Sequence, residues 1–254
     1  MKTRFIVPFL LPLFGLVIAA NAGVIPLLSL DFEREDLEDS KGVNWFVNRP
    51  GQLSASHDEA LASRAMVFGT PGVYAVGVLP EPVSINDGRE FTLSFRSHLN
   101  GSMELRVGLY QVDATSLPNA DGSSLLPAMS SAPGFYVDLK RQSIQVNVEG
   151  GTDDVFLYGM DREFGLTVPF EGSGDVDQVV DVSLNFRLLG DQLVVDSFVD
   201  GQSTGTSHFT HPDIASSLAS APFNALVMAS AVGEEGETNG FAAISTISLK
   251  EGCP

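Results

Sequence analysis

Carboxylates are the most abundant side chains in this sequence that could do chemistry. The chain of 254 residues has 32 Asp and Glu against 14 Lys and Arg, a formal net charge of −18. Residues 31–39 alone hold six carboxylates. Paired carboxylates can serve as the acid and the nucleophile or base of glycoside hydrolysis. A cluster this dense favours cation binding instead, because Ca²⁺ takes roughly six to eight oxygen ligands from flexible loops.

Two acidic stretches supply the candidate metal ligands. We predict that Asp31 and Glu33 in the first, and Asp175 and Asp177 in the second, are the residues that could bind Ca²⁺. Neither stretch has the glycine and the final glutamate of an EF-hand loop. Calcium is therefore the one candidate cofactor, and the alternative interpretation is a pair of solvated loops.

Three aromatic side chains are candidate platforms for a carbohydrate: Trp45, Tyr110 and Tyr136. Tyr110 and Tyr136 alternate with apolar neighbours along their segments, so they face outward if those neighbours face a core. Stacking on a sugar is one reason for an outward aromatic ring. The alternative is packing against a neighbouring strand.

A serine flanked by two glycines is a further candidate for chemistry. Residues 201–205 read Gly-Gln-Ser-Thr-Gly and match the G-x-S-x-G string of serine hydrolases. That chemistry needs a sharp turn between a strand and a helix. No helix pattern follows Ser203, so we interpret the match as coincidence and predict no catalytic residue.

The first residues have the pattern of a secretory signal peptide. Lys2 and Arg4 precede an apolar run over residues 5–18, and residues 20–22 offer small side chains for cleavage. The run contains two prolines and falls short of the about 20 apolar residues that a membrane helix needs. We therefore predict a signal peptide at residues 1–22 and a secreted or periplasmic/extracellular location.

Residues 23–254 are predicted to fold as a single β-sandwich domain, since large β domains run to about 200–250 residues. No later apolar run has the length of a membrane span, so none is expected after signal cleavage. The one cysteine, Cys253, cannot form a disulfide within the chain, and its role is left open. An acidic surface repels phosphates, so nucleic acid is not an expected partner.

Alternation of apolar and polar residues dominates residues 27–250. This period of two predicts strands with one face on a core and one in water. Residues 72–79 and 225–232 are apolar on both sides, which predicts central strands covered on both faces. Residues 113–133, 150–154 and 161–177 are predicted long loops. The fold class is all-β, a sandwich of two antiparallel sheets. The alternating sets are Phe91, Leu93 and Phe95; Leu105, Val107 and Leu109; Phe135, Val137 and Leu139; Ile144, Val146 and Val148; and Val182, Leu184, Phe186 and Leu188.

Several segments resemble the concanavalin A-like or LamG-like jelly-roll superfamily of exported bacterial proteins. The mature chain opens on a strand at residues 30–33, and residues 180–189 form a long strand. A turn at Gly190-Asp191 leads into a strand that ends in Asp200-Gly201, as in the hairpin of that superfamily. The resemblance implies a jelly roll, often with a sugar- or cation-binding face.

The sequence departs from the enzymes and metal lectins of that superfamily. The Glu-x-Asp-x-x-Glu run of family 16 glycoside hydrolases is absent, and the nearest match, residues 33–38, follows the first strand instead of lying within a sheet. The metal motifs of legume lectins are not recognisable. The resemblance therefore transfers no site.

Three functions are compatible with these sequence features. The first is an exported, non-catalytic module that binds a carbohydrate or another cell-surface component. The second is a polysaccharide-active enzyme, a glycoside hydrolase or lyase, with an unrecognised site. The third is a structural protein of the envelope or matrix. A groove with facing carboxylates would favour the enzyme, and outward aromatic rings on a shallow face would favour the binder.

Overall fold

The computed structural model describes residues 25–32, 34, 37, 42–85, 89–117, 125–129, 132–149, 162–170, 177–210, 221–232 and 240–252. The predicted signal peptide and Cys253 lie outside these residues. The described residues form fifteen strands: β1 Ile25–Asp31, β2 Asn44–Val47, β3 Leu53–Asp58, β4 Ser63–Phe68, β5 Tyr74–Val83, β6 Glu90–Gly101, β7 Met103–Tyr110, β8 Gly134–Lys140, β9 Ser143–Glu149, β10 Arg162–Pro169, β11 Asp177–Leu189, β12 Gln192–Val199, β13 Gln202–Phe209, β14 Phe223–Val232 and β15 Gly240–Gly252. A short helix, α1, spans Leu126–Met129, and 3₁₀ turns cover Pro50–Gln52 and Ala114–Ser116.

The strands pair into two antiparallel sheets, which confirms the predicted fold class. Sheet A has eight strands in the order β13-β12-β11-β6-β15-β4-β3, and β1 also pairs with β15. Sheet B has seven strands in the order β10-β9-β8-β7-β14-β5-β2. Some neighbouring strands in both sheets come from distant parts of the sequence, as in β6 beside β15 and β7 beside β14.

One apolar core lies between the sheets and draws side chains from both. The ring of Phe135 in sheet B packs against Phe186 in sheet A, with centroids 4.9 Å apart. Phe186 also stacks on its sheet neighbour Phe91 at 5.6 Å. Removing apolar area from water is the main favourable term in folding, and two facing sheets bury one face of each.

Burial follows the predicted alternation. Along β11 every second residue from Gln178 to Leu188 is buried, while the residues between are half-buried or exposed. The two segments that are apolar on both sides became β5 and β14, adjacent strands of sheet B, where residues 74–77 and 225–231 are buried on both faces. Both predictions are confirmed.

The hairpin that carried the superfamily resemblance is also present. Gly190, with a φ of 63°, turns β11 into β12. Asp200 and Gly201, with φ of 51° and 75°, turn β12 into β13. Asp and Gly are residue types that tolerate this left-handed conformation, so the sequence predicted the turn positions.

Strand β10 corrects one prediction. Residues 161–177 were expected to be a loop, but Arg162–Pro169 pairs with β9 and forms the edge of sheet B. Gly165 and the terminal proline weaken the alternating signal, and the register shifts between Phe164 and Thr167. Edge strands tolerate such bulges and prolines. In the part of the chain that the structure describes, no helix has the length and apolarity of a membrane span.

Candidate functional site

The outer face of sheet B, the face turned away from the core, carries polar side chains that are buried. Glu104, Asp138, Asn147 and Glu149 are only 4%, 5%, 1% and 2% exposed. Buried polar groups are expensive unless they are paired, and clusters of buried carboxylates mark candidate functional sites. We refer to the following seven residues as the outer-face cluster: Glu104, Arg106, Tyr110, Tyr136, Asp138, Asn147 and Glu149.

Two tyrosines of the cluster lie across glycines of the neighbouring strand. Tyr110 pairs with Gly134, and Tyr136 pairs with Gly108. A Cβ atom on Gly134 would lie 2.4 Å from Cδ1 of Tyr110, and one on Gly108 would lie 2.6 Å from Cβ of Tyr136. The glycines are therefore required so that the tyrosines can lie close to the sheet.

Tyr110 and Tyr136 lie on the predicted face of their strands, and both rings are buried there, as in the alternative interpretation of packing. Tyr110 is 0% and Tyr136 1% exposed. Both belong to a second apolar cluster that includes Val112, Leu125 and Met129 from the connection between β7 and β8. These described residues of the connection pack against the two rings, so neither ring is open to solvent.

One end of the outer-face cluster is a network of ion pairs. Nε of Arg106 lies 3.3 Å from Oδ1 of Asp138, and its Nη2 lies 3.6 Å from Oε2 of Glu104. Nζ of Lys140 lies 3.6 Å from Oε1 of Glu104. The guanidinium of Arg106 also lies 5.7 Å from the centroid of the Tyr136 ring, a cation–π distance.

Glu104 is the most perturbed carboxyl group in this network. Burial, together with the negative charge of Asp138, raises the pKa of Glu104 from 4.5 to about 7, against the opposing effects of Lys140 and Arg106. A carboxyl group with such a pKa can hold a proton near neutral pH and donate it.

The other end of the cluster joins a tyrosine to a carboxylate. The hydroxyl of Tyr110 donates a hydrogen bond of 3.2 Å to Oε2 of Glu149. Burial, together with the charge of Glu149, raises the pKa of Tyr110 well above its ordinary value. The phenol therefore stays protonated and acts as a fixed donor.

Asn147 is the member of the cluster with unmet hydrogen-bonding capacity. Its side chain is buried, yet neither Nδ2 nor Oδ1 has a hydrogen-bond partner. It lies opposite Tyr136 on one side and Phe164 on the other. Phe164 is 62% exposed, which is unusual for a large apolar side chain on a strand. An aromatic ring beside an amide is an arrangement that suits a sugar.

Asn147 and Phe164 were not predicted from the sequence. Asn147 was one polar residue in an ordinary alternation, and Phe164 fell in a segment predicted to be a loop. The available signal was the run Phe164, Leu166, Val168 at a period of two, which indicates a strand. Nothing in the sequence indicated that this strand would pair with β9.

Trp45 lies in a separate cleft, at the mouth of the sandwich between β2 and β3. The cleft has a volume of about 560 Å³ and is lined by residues that include Val43, Leu53 and Met66. The indole lies against Gly77, where a Cβ atom would come within 2.8 Å of the ring. Trp45 is half-buried and faces inward, and the structure does not bring it together with Tyr110 or Tyr136.

The predicted calcium ligands are partly outside the described residues. Glu33 and Asp175 are among those not described. Asp31 contacts Arg34 at 3.5 Å, and Asp177 accepts hydrogen bonds from His98 and Asn100. Among the residues that the structure describes, no group of three or more His, Cys, Asp or Glu could hold a metal ion. Calcium binding stays a prediction.

A histidine held between two carboxylates lies on the outer face of sheet A. Nδ1 of His98 is 2.8 Å from Oδ2 of Asp58, and Nε2 is 3.3 Å from Oδ1 of Asp177. The ring packs edge-on against Phe241 with centroids 5.1 Å apart. A depression beside it is lined by Asp177 and Asn100, among other residues. This triad ties the end of β3 to β6 and β11.

The G-x-S-x-G match has no catalytic geometry. Ser203 lies in β13, an edge strand of sheet A, directly after the Asp200-Gly201 turn. The nucleophile of such hydrolases stands on a turn between a strand and a helix. The interpretation of this match as coincidence is consistent with its place in the fold.

Comparison with solved structures finds the same β-sandwich fold in several proteins. The chain is similar to the carbohydrate recognition domain of Emp46p in its potassium-bound form, with 14% identity, 89% of this chain and 95% of that chain covered, and a TM-score of 0.54. It is similar to basic winged bean lectin crystallised with Tn-antigen, with 13% identity, 91% and 100% covered, and a TM-score of 0.52.

An enzyme has the same fold. The catalytic domain of an endo-1,3-β-glucanase (laminarinase) from Thermotoga petrophila matches with 11% identity, 92% and 100% covered, and a TM-score of 0.53. No protein-family model and no curated protein matches the sequence. At sequence identities of 11–14% the similarity to these structures shows the fold alone, since one fold hosts many functions. On this architecture, the chain has the concanavalin A-like jelly-roll fold that its sequence resembled.

Proposed function

We propose that the chain is an exported, non-catalytic β-sandwich module that binds a carbohydrate of a cell surface at the outer face of sheet B. The observation that carries the proposal is the exposed ring of Phe164 beside the buried, unpartnered amide of Asn147. Export rests on the predicted signal peptide at residues 1–22.

The chemistry of a sugar fits this pair of side chains. A pyranose ring has an apolar face of C–H groups that can stack on an aromatic ring, and hydroxyls at its edge that both donate and accept hydrogen bonds. Small-ligand sites commonly combine aromatic surface with a few placed polar groups. Phe164 supplies the first and Asn147 the second.

The structural comparisons support a carbohydrate as the ligand class. A lectin and a carbohydrate recognition domain are among the proteins that share the fold. Sharing a fold does not by itself imply sharing a ligand, so the proposal depends on the residues of the site.

Trp45 is the second candidate platform. Its half-buried indole lines the cleft between β2 and β3, about 560 Å³ in volume, which is large enough for a sugar ring. The cleft lies at the sheet edge opposite β10, so the two candidate places can be tested independently.

The test is a glycan array with the mature chain, residues 23–254, followed by calorimetric titration of the best ligand. We expect Phe164→Ala to weaken binding by at least about tenfold, or 1.4 kcal/mol. Leu166→Ala is the matched control, because Leu166 lies in the same strand and is 65% exposed. If Trp45→Ala abolishes binding and Phe164→Ala does not, the cleft is the site. Titrations with calcium and with a chelator test the calcium prediction in parallel.

One observation favours an enzyme as the second candidate. Glu104 and Asp138 are buried carboxyl groups on adjacent strands, and the raised pKa of Glu104 suits a proton donor. Release of reducing ends from β-glucans, lost in Glu104→Gln, would establish this function. Neither binding nor hydrolysis across the array would favour the structural envelope protein.

A further inference from the structure

We infer that Asn100 is a site of chemical modification: its side-chain amide is lost by deamidation, at a rate that the carboxylate of Asp177 limits. The inference does not depend on the proposed function. Asn100 and Gly101 are one of two Asn-Gly pairs in the sequence, and only this pair has its asparagine among the described residues. Three observations carry the inference: the glycine after Asn100, the hydrogen bond of its amide, and the like charge that loss of the amide creates.

Asn100 has the neighbour that favours deamidation. Gly101 ends β6 with a φ of 68° and has no side chain to hinder an approach to its backbone nitrogen. That nitrogen bonds to Cγ of Asn100 while the bond from Cγ to Nδ2 breaks, and the amide nitrogen leaves as ammonia with the proton of the Gly101 N–H. Water then opens the cyclic imide at either of its carbonyls, which gives aspartate or isoaspartate. Asn100 is only half-buried, so water, the one reagent required, reaches it.

The hydrogen bond between Asn100 and Asp177 holds the amide away from this reaction. Nδ2 of Asn100 donates to Oδ1 of Asp177, which lies directly opposite across the β6–β11 pair. The same oxygen lies 3.3 Å from Nε2 of His98, whose Nδ1 lies 2.8 Å from buried Asp58. To bring Cγ of Asn100 to the nitrogen of Gly101, the amide must leave this network. The hydrogen bond therefore slows deamidation by the free energy that it costs to break.

Loss of the amide changes the charge at this end of sheet A. Either product has a carboxylate where the amide of Asn100 donates to Asp177, and like charges directly opposite on two strands are destabilising. Isoaspartate also adds a methylene to the backbone of β6, where Asn100 pairs with Asp177 on one side and with Phe241 on the other. Because strand pairing depends on a regular period of two, this insertion disturbs the pairing at the strand end. The modification therefore weakens the link that the triad makes between β6 and β11.

The experiment incubates the mature chain at mildly alkaline pH and follows Asn100 by peptide mapping, with mass spectrometry for the acid and enzymatic methylation for isoaspartate. We expect both products at Asn100, formed at least about fivefold faster in Asp177→Ala, the factor that corresponds to one lost hydrogen bond. Asp181→Ala is the matched control, because Asp181 is exposed in the same strand and pairs with Arg96 instead. Equal rates in Asp177→Ala and the unchanged chain would overturn the role of Asp177. Absence of conversion in both would overturn the site.

A second pair of variants tests the inference if Asp177→Ala does not fold. Asn100→Asp reproduces the aspartate product, and Asn100→Ala removes the hydrogen bond without adding a charge. We expect Asn100→Asp to unfold at a lower denaturant concentration than Asn100→Ala. Adding Asp177→Asn to Asn100→Asp should restore part of the loss, because the two side chains then no longer repel. A midpoint for Asn100→Asp equal to or above that of Asn100→Ala would overturn the charge repulsion on which the inference depends.

Discussion

The outer faces of the two sheets face away from the same core, yet they differ in almost every property. The outer face of sheet B carries a buried network of tyrosines, carboxylates and Arg106. Sheet A carries instead a row of short polar residues. Four serines align across β11, β6, β15 and β1, and all are exposed or half-buried: Ser183, Ser94, Ser248 and Ser29.

The difference shows where this molecule depends on polar interactions. Within sheet B the polar groups have lost water, so each must be paired inside the protein or by a ligand. On sheet A the serines keep access to water. The 3.1 Å hydrogen bond between the hydroxyls of Ser94 and Ser183 replaces hydrogen bonds to water of similar free energy. Among the described residues, one part of the outer face of sheet A departs from this: the triad of Asp58, His98 and Asp177, where the turn after β3 covers the strands.

The largest change in stability is expected for a variant of that triad. His98→Ala should lower the free energy of unfolding by about 3–5 kcal/mol, because it leaves Asp58, 5% exposed, without the imidazole that lies 2.8 Å from it. The backbone N–H of Leu61 would remain its hydrogen-bond donor. Chemical denaturation measures the change, and His208→Ala on an exposed position of β13 is the control. If both variants changed the free energy of unfolding equally, burial of the histidine would not explain the stabilising effect of His98.

Glu104 gives a pH-dependent test on sheet B. Its pKa of about 7 in the folded protein exceeds the ordinary 4.5, so between these values the folded state holds a proton that the unfolded state has lost. Stability from this group is therefore fully present below about pH 4.5 and is lost as the pH rises through 7, by about 3 kcal/mol.

Glu104→Gln carries no titrating group and should remove this part of the pH profile. Denaturation curves at pH 5, 6 and 8 for both proteins check the prediction, with Ser94→Ala as a control that keeps the wild-type profile. A variant that loses stability with pH as steeply as the wild type would contradict the prediction that Glu104 titrates in this range.

Tyr110→Phe should have a smaller effect. The variant removes the hydroxyl that donates to Glu149 and leaves a buried carboxylate without that bond, which destabilises by about 2 kcal/mol. The double variant with Glu149→Gln should recover part of the loss, since a neutral amide tolerates burial better. Strictly additive effects in the double-mutant cycle would show that the two side chains do not interact.

Ser94→Ala should change stability least, by no more than about 0.5 kcal/mol, because water replaces its contact with Ser183. The same measurement on Ser183→Ala checks the other partner. A loss above about 2 kcal/mol in either variant would place the serine row of sheet A in the same class as the outer-face cluster of sheet B.

Much of the fold was predictable because its signals are local. Alternation in residues 182–188 identified a strand with one buried side, and Asp200-Gly201 marked a turn. The face of Tyr110 and Tyr136 followed from the same alternation. Their exposure did not, because it depends on the connection between β7 and β8, whose contact with the sheet is a long-range event.

The candidate site was less predictable for the same reason. Asn147 and Phe164 lie on separate strands, and each is an ordinary residue in its own segment. The triad on sheet A joins side chains 40 and 79 residues apart in the chain. Such pairs form only after strand order and register are set, and those depend on distant partners.

By itself the sequence determined that the chain is acidic, built of β-strands and folded with two sheets on one core, because backbone pleating assigns alternate side chains to opposite faces. Only the tertiary structure decided which outer face is buried, which charges pair, and that Asn147 meets Phe164. Alternation specifies a face for each residue but not its neighbours across the sheet, since these are chosen when remote strands pair.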